Sequence, residues 1–150
     1  MKTDYFNIPE ITVSYKDNVK ASERAVIKCS KDAADILNVV FADCIQHHEE
    51  FYALYLNRAN RLMGISCISK GGISETVVDI KIILQTALKV HASSIMVSHC
   101  HPSGNTRPSD QDLTVTRMIK EGCKTIGMNL LDHLIVAEEG YLSFVDEGFL

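Results

Sequence analysis

The chain has 150 residues, 46% of them hydrophobic, and a formal net charge of −4 at pH 7, which suits one globular domain with a substantial core. An acidic balance without a Lys/Arg stripe excludes a general affinity for nucleic-acid backbone and leaves room only for a local basic patch. The five cysteines are scattered, odd in number and form no CxxC pair, which excludes a disulfide framework and a thiolate zinc knuckle and leaves buried small hydrophobes as their expected role.

The opening Met1-Lys2-Thr3-Asp4-Tyr5 has no basic region leading into an apolar one, and the longest apolar runs, such as Ile36 to Ala42, are too short to span a bilayer. A cytoplasmic protein with no membrane partner is the expectation. Ile11-Thr12-Val13-Ser14-Tyr15 alternates and reads as an edge strand or docking arm, so residues 1–24 are assigned to an N-terminal strand or arm packing on a core of residues 25–150. Ala25 to Cys29 reads as a strand. Ser30 follows as an N-cap, with Asp32 in the first turn of a helix whose apolar face is Ala33, Ile36, Leu37, Val40 and Phe41, ending near Cys44.

Phe51 to Leu56 reads as a buried strand, Asn57 to Asn60 as a polar turn, and Leu62 to Ser69 as the second arm of an antiparallel hairpin. Thr76 to Val90 places Val77, Ile80, Ile83, Leu84 and Leu88 on one helical face. Ser93 to Ser98 is apolar enough for a central strand, and His99 and His101 lie at its end. Ser109 is an N-cap candidate with Asp110 and Asp112 in the first turn, opening a helix with Leu113, Val115, Ile119 and Cys123. Leu130 to Val136 and Tyr141 to Phe144 then read as strands joined through Glu138-Glu139-Gly140. The pattern is a single α/β domain, a mixed sheet with helices on both sides.

The chemistry gathers at Ser98 to Asp112. Alternation along an extended segment points His99 and His101 the same way and Cys100 the other way. Asp112 follows His101 after a ten-residue stretch containing Pro102, Gly104 and Pro108, which can fold back toward the strand end. Two imidazoles and one carboxylate leave a coordination position open, the mark of a catalytic rather than a structural zinc site. Zinc acidifies water and polarises a carbonyl, which suits hydrolysis. Amide hydrolysis also needs a carboxylate to move a proton from water to the leaving amine. Glu49 and Glu50 are the candidates, and composition does not choose between them. Ser109 can cap its helix and also direct a hydroxyl at a developing oxyanion.

The string His99-Cys100-His101-Pro102-Ser103-Gly104, then Pro108-Ser109-Asp110-Gln111-Asp112, resembles the JAMM (MPN+) metalloprotease signature, specifically its bacterial RadC-like branch with H-N-H-P-S-G, P-S-x-x-D and a later L-D-H. The last corresponds to Leu131-Asp132-His133. The resemblance runs from about Ala25 to the C-terminus. It implies a JAMM/MPN-like, cytidine-deaminase-like three-layer fold, with His99, His101 and Asp112 as zinc ligands. It further implies Ser109 as oxyanion support and Glu49 as the acid, with Glu50 one residue away. Cys100 stands where that branch usually has Asn. The helix-hairpin-helix segment of longer RadC-like proteins finds no room before Ala25, so a DNA-repair association is a weak guide.

Weighed without the resemblance, Glu49 and Glu50 read as solvated loop charges, and the adjacent His47 and His48 as a surface loop. Asp132 and His133 read either as a pair orienting a ligand or as a hydrogen bond between strands. His91 reads as a partner of the last helical carbonyls. The expectation is a zinc metallopeptidase acting on a peptide or protein. Two other readings stand beside it. One is a hydrolase of a non-peptide amide or a deaminase-like enzyme, against which the missing P-C-x-x-C counts. The other is a non-catalytic or DNA-repair-associated RadC-like binding module.

Overall fold

The computed structural model describes residues 9, 11–71 and 77–150. Its elements in chain order are α1 (Ser30–Val40), β1 (Glu50–Leu56), β2 (Leu62–Lys70), α2 (Ile80–Lys89), β3 (Ser94–Cys100), α3 (Asp110–Thr125), β4 (Asn129–Ala137) and β5 (Gly140–Ser143). The strands form one mixed sheet in the order β2-β1-β3-β4-β5, parallel only between β3 and β4. The expected α/β architecture is therefore present.

Strand alternation divides the core in two. Leu54, Leu56, Met96, Cys100, Leu134 and Val136 face α1, meeting Ala33, Ala34, Leu37 and Phe41. Phe51, Ala53, Tyr55, Ile95 and Val97 face the opposite way, onto Ile83 and Ala87 of α2 and Ile119 and Cys123 of α3. Helices α2 and α3 meet at Gly122, where an added Cβ would stand 3.0 Å from Leu84 Cδ1. Glycine lets the two helices approach there.

Several local expectations are corrected. Ile11 to Tyr15 forms no strand: Ile11 and Val13 are 87% and 70% exposed, while the Tyr15 hydroxyl donates to the Met63 carbonyl of β2 at 3.5 Å. Ala25 to Cys29 is reduced to one antiparallel bridge between Val26 and Arg61, because α1 begins directly after Cys29. Cys29, not Ser30, is the N-cap residue. Asp32 accepts from the Lys28 and Cys29 amides at 2.8 and 3.3 Å, while the Ser30 hydroxyl donates to Asp146 at 2.5 Å. The helix expected from Thr76 starts at Ile80, since Asp79 caps it by accepting from Lys81 N at 2.9 Å. Thr76 lies outside the described residues. Val77 and Leu88 are 83% and 53% exposed instead of buried, and Ala87 takes the core position. Ser109 does cap α3, and its side chain accepts from Asp112 N.

His91 sits just past α2 at φ 57°, and its backbone amide donates to Leu88 O at 3.2 Å. Among the described residues, no helix is long and apolar enough to cross a membrane.

Candidate metal centre and hydrolytic site

The C-terminal end of β3 carries His99 toward the α2/α3 side, and the following turn brings His101 beside it. Gly104 makes that turn at φ +79°, a conformation costly for other residues. The turn places the Asn105 carbonyl 2.6 Å from His101 Nδ1. A carbonyl only accepts, so His101 Nδ1 carries a hydrogen, and in the neutral ring Nε2 is left as an acceptor.

That acceptor points at other acceptors. His101 Nε2 is 2.9 Å from His99 Nε2 and 3.8 Å from Asp112 Oδ2, and His99 Nε2 is 3.2 Å from Asp112 Oδ1. Asp112 reaches this point because the Ser109 cap holds it: Oδ2 accepts from Ser109 N at 2.8 Å and from Ser109 Oγ at 2.7 Å.

The donor set fits a metal ion. Ligands about 2.0–2.2 Å from a tetrahedral zinc stand about 3.3 Å from one another, and the three separations here bracket that value. Two imidazole nitrogens and a carboxylate crowded together without a cation would leave acceptor facing acceptor.

The two acids separate onto opposite faces. Phe51 is the β1 partner of His99 across the sheet, so Glu49, two positions before Phe51, falls on the His99 face. Its Oε1 lies 4.0 Å from His101 Nε2. Glu50 faces α1 instead, where it accepts from Tyr52 OH at 2.9 Å and pairs with His48 at 2.8 Å and Lys70 at 3.1 Å. Burial pushes Glu50 up, but these three partners more than offset it and its carboxyl lies below its ordinary value. His48 is thus half-buried and paired, which corrects the surface-loop reading; His47 is exposed.

Cys44, His48 and Glu50 form a second group with metal-ligand atoms in reach of one another. Its chemistry differs from the first. Glu50 is already satisfied by three donors, the Lys70 ammonium opposes a cation, and burial together with Cys100 and Glu50 pushes the Cys44 thiol up to about 12. Cys100 packs there too, its sulfur 3.8 Å from Cys44 Sγ and turned away from the histidines as alternation requires.

Asp132 and His133 part company. Asp132 accepts from His133 N at 2.8 Å, Val145 N at 3.1 Å and Ser143 Oγ at 2.5 Å, tying β4 to the turn after β5. His133 instead lies 2.8 Å from His99 Nδ1 and 2.6 Å from Thr116 Oγ1. Sequence reasoning missed Thr116 and Asn105. The signal for Thr116 was its i+4 spacing from Asp112 on a helix.

A cleft of about 680 Å³ is lined by Glu49, His99, His101 and Asp112 together with the apolar Val77, Val115 and Met118. The family model of the RadC-like JAB domain matches residues 27–149. The chain belongs to the RadC-like JAB domain family. Its relatives include UPF0758 proteins of Flavobacterium johnsoniae, 39% identical over 81% of this chain and 52% of the relative, and of Porphyromonas gingivalis, 41% identical over 68% and 45%. A UPF0758 protein of Listeria monocytogenes is 34% identical over 87% of this chain and 58% of its own length. The chain thus spans about half the length of the curated relatives it matches. Membership in the family points to a metal-dependent hydrolase-type module.

Proposed function

We propose that this RadC-like JAB domain is a zinc-dependent hydrolase of the metallopeptidase or isopeptidase type. The observation that carries the reading is the convergence of His99 Nε2, His101 Nε2 and the Asp112 carboxylate, with Glu49 at the rim, in one cleft. A bound zinc ion supplies Lewis acidity, which acidifies water and polarises a carbonyl.

The remaining work falls to the side chains. His99, His101 and Asp112 hold the ion. Glu49 takes a proton from the attacking water and returns it to the leaving amine, the exchange that amide hydrolysis requires. Ser109 keeps Asp112 in place, and its hydroxyl turns from Asp112 Oδ2 toward the developing oxyanion as the carbonyl is attacked. An extended peptide suits the cleft, because its carbonyl can reach the histidines while an apolar side chain rests on Val115 and Met118.

A peptide-library cleavage screen on zinc-loaded protein tests the proposal. Cleavage that disappears in Glu49→Gln is the expected result. A zinc-loaded wild type that binds peptides without cleaving any supports the binding-module reading instead.

A further inference from the structure

Thr116 lies one turn beyond Asp112 on α3. Its hydroxyl is 2.5 Å from the Asp112 carbonyl oxygen and 2.6 Å from His133 Nδ1. A hydroxyl has one hydrogen and a carbonyl oxygen has none to give. Two oxygens this close share a hydrogen, so Thr116 donates to Asp112 O and accepts from His133 Nδ1–H.

His133 is fully buried, and its ring nitrogens face a hydroxyl and an imidazole rather than a carboxylate, so it is neutral. With its hydrogen on Nδ1, its Nε2 is an acceptor. His99 Nδ1, 2.8 Å away, is then the donor. The only tautomer left to neutral His99 presents the Nε2 lone pair to His101 and Asp112.

A register shift makes this chain of bonds available. Ile95 pairs with Leu130 but Met96 pairs with Asp132, so Leu131 is an extra residue in β4. Partners across a ladder share a face. The bulge therefore sends Asp132 to the α1 side with Met96 and His133 to the α3 side with Val97. A regular strand would put Asp132 opposite Val97 instead, and bulges beside sites commonly re-aim a side chain in this way.

We propose that Thr116 and His133 are positioning residues, whose hydrogen bonds from the Asp112 carbonyl to His99 Nδ1 fix the tautomer and aim of His99 as a metal ligand. Asp112 stands at both ends of the arrangement. Its carboxylate faces the histidines directly, and its carbonyl anchors the chain that orients one of them. A displacement of α3 therefore disturbs two members of the centre together. Partners of this kind commonly change metal affinity by about 10–100-fold when removed.

This inference rests on the metal-centre reading for its effect on affinity, but its proton assignment stands on hydrogen-bond geometry alone. The test combines two-bond ¹H–¹⁵N spectra of histidine-labelled protein with zinc affinity measured by chelator competition, for wild type, Thr116→Val, Thr116→Ser and His133→Leu. The expected result is a neutral His133 with its proton on Nδ1 in wild type and in Thr116→Ser. Zinc binding should weaken about tenfold in Thr116→Val and by up to about 100-fold in His133→Leu, and recover in Thr116→Ser. A His133 proton on Nε2, or wild-type zinc affinity in Thr116→Val, overturns the proposal. If Thr116→Val fails to fold, the tautomer in wild type and Thr116→Ser still decides it. A wild type that binds no zinc overturns the hydrolase reading, and the His133 tautomer decides the hydrogen-bond chain independently.

Discussion

Phe51 and His99 face each other across the antiparallel β1–β3 ladder with their rings stacked, centroids 5.9 Å apart and planes inclined by 7°. This pairing sets the whole acid register. Two residues upstream of Phe51 the chain returns to the same face beside His101, and that residue is Glu49; Glu50 is committed to the opposite face. Glu49→Gln is accordingly expected to retain zinc and the folded state while hydrolysis falls by about 10²–10⁴-fold. Metal analysis and kcat of the same preparation check this. Retained activity in Glu49→Gln together with loss in Glu50→Gln would reverse the register.

Glu50 should matter for stability instead. Its buried carboxylate accepts from Tyr52, His48 and Lys70, and removing such a charged hydrogen-bond acceptor costs about 1–3 kcal/mol. Its folded pKa lies below the ordinary glutamate value, so the stabilisation is fully present above that ordinary value and is lost as pH falls through the folded one. Denaturant unfolding of wild type and Glu50→Gln should therefore show a gap at pH 7 that narrows in acid. A gap that widens as pH falls contradicts the assignment.

Ser109 has two separable tasks. Ser109→Ala removes the cap on α3, expected to cost about 1 kcal/mol in unfolding free energy. If the hydroxyl also meets the oxyanion, kcat falls by about 10²–10³-fold. Thermal unfolding and kinetics measure the two effects apart. A stability loss with unchanged kcat confines Ser109 to the cap and to holding Asp112.

Gly104 turns the chain between His101 and Asn105. No atom lies within 4 Å of an added Cβ there, so Gly104→Ala tests the backbone alone and should cost about 1–2 kcal/mol from the left-handed conformation. Calorimetric unfolding checks the cost. An unchanged melting temperature contradicts it.

The convergence of His99, His101 and Asp112 is legible in the sequence because each step obeys a local rule: alternation aligns the histidines, and an N-cap three residues before Asp112 starts the helix. Composition does not choose between Glu49 and Glu50, since both precede the same strand; the family resemblance points to Glu49, and the β1–β3 register is what puts Glu49 on the His99 face. The β4 bulge is equally hidden, and with it the separate duties of Asp132 and His133. Elsewhere, local pattern misleads where a competing cap wins. Asp79 starts α2 late, and Asp32 draws the start of α1 onto Cys29. The hairpin of β1 and β2, the central β3 and the α3 start follow from apolar runs and turn residues that have no such competitor.

The most direct measurement of the central claim is the metal content of purified protein, with and without chelator, for wild type, His101→Ala and Asp112→Ala. The account predicts one zinc per chain in wild type, removed by chelator and absent from both variants. A wild type that takes up no zinc, or variants that keep the full complement, would contradict it.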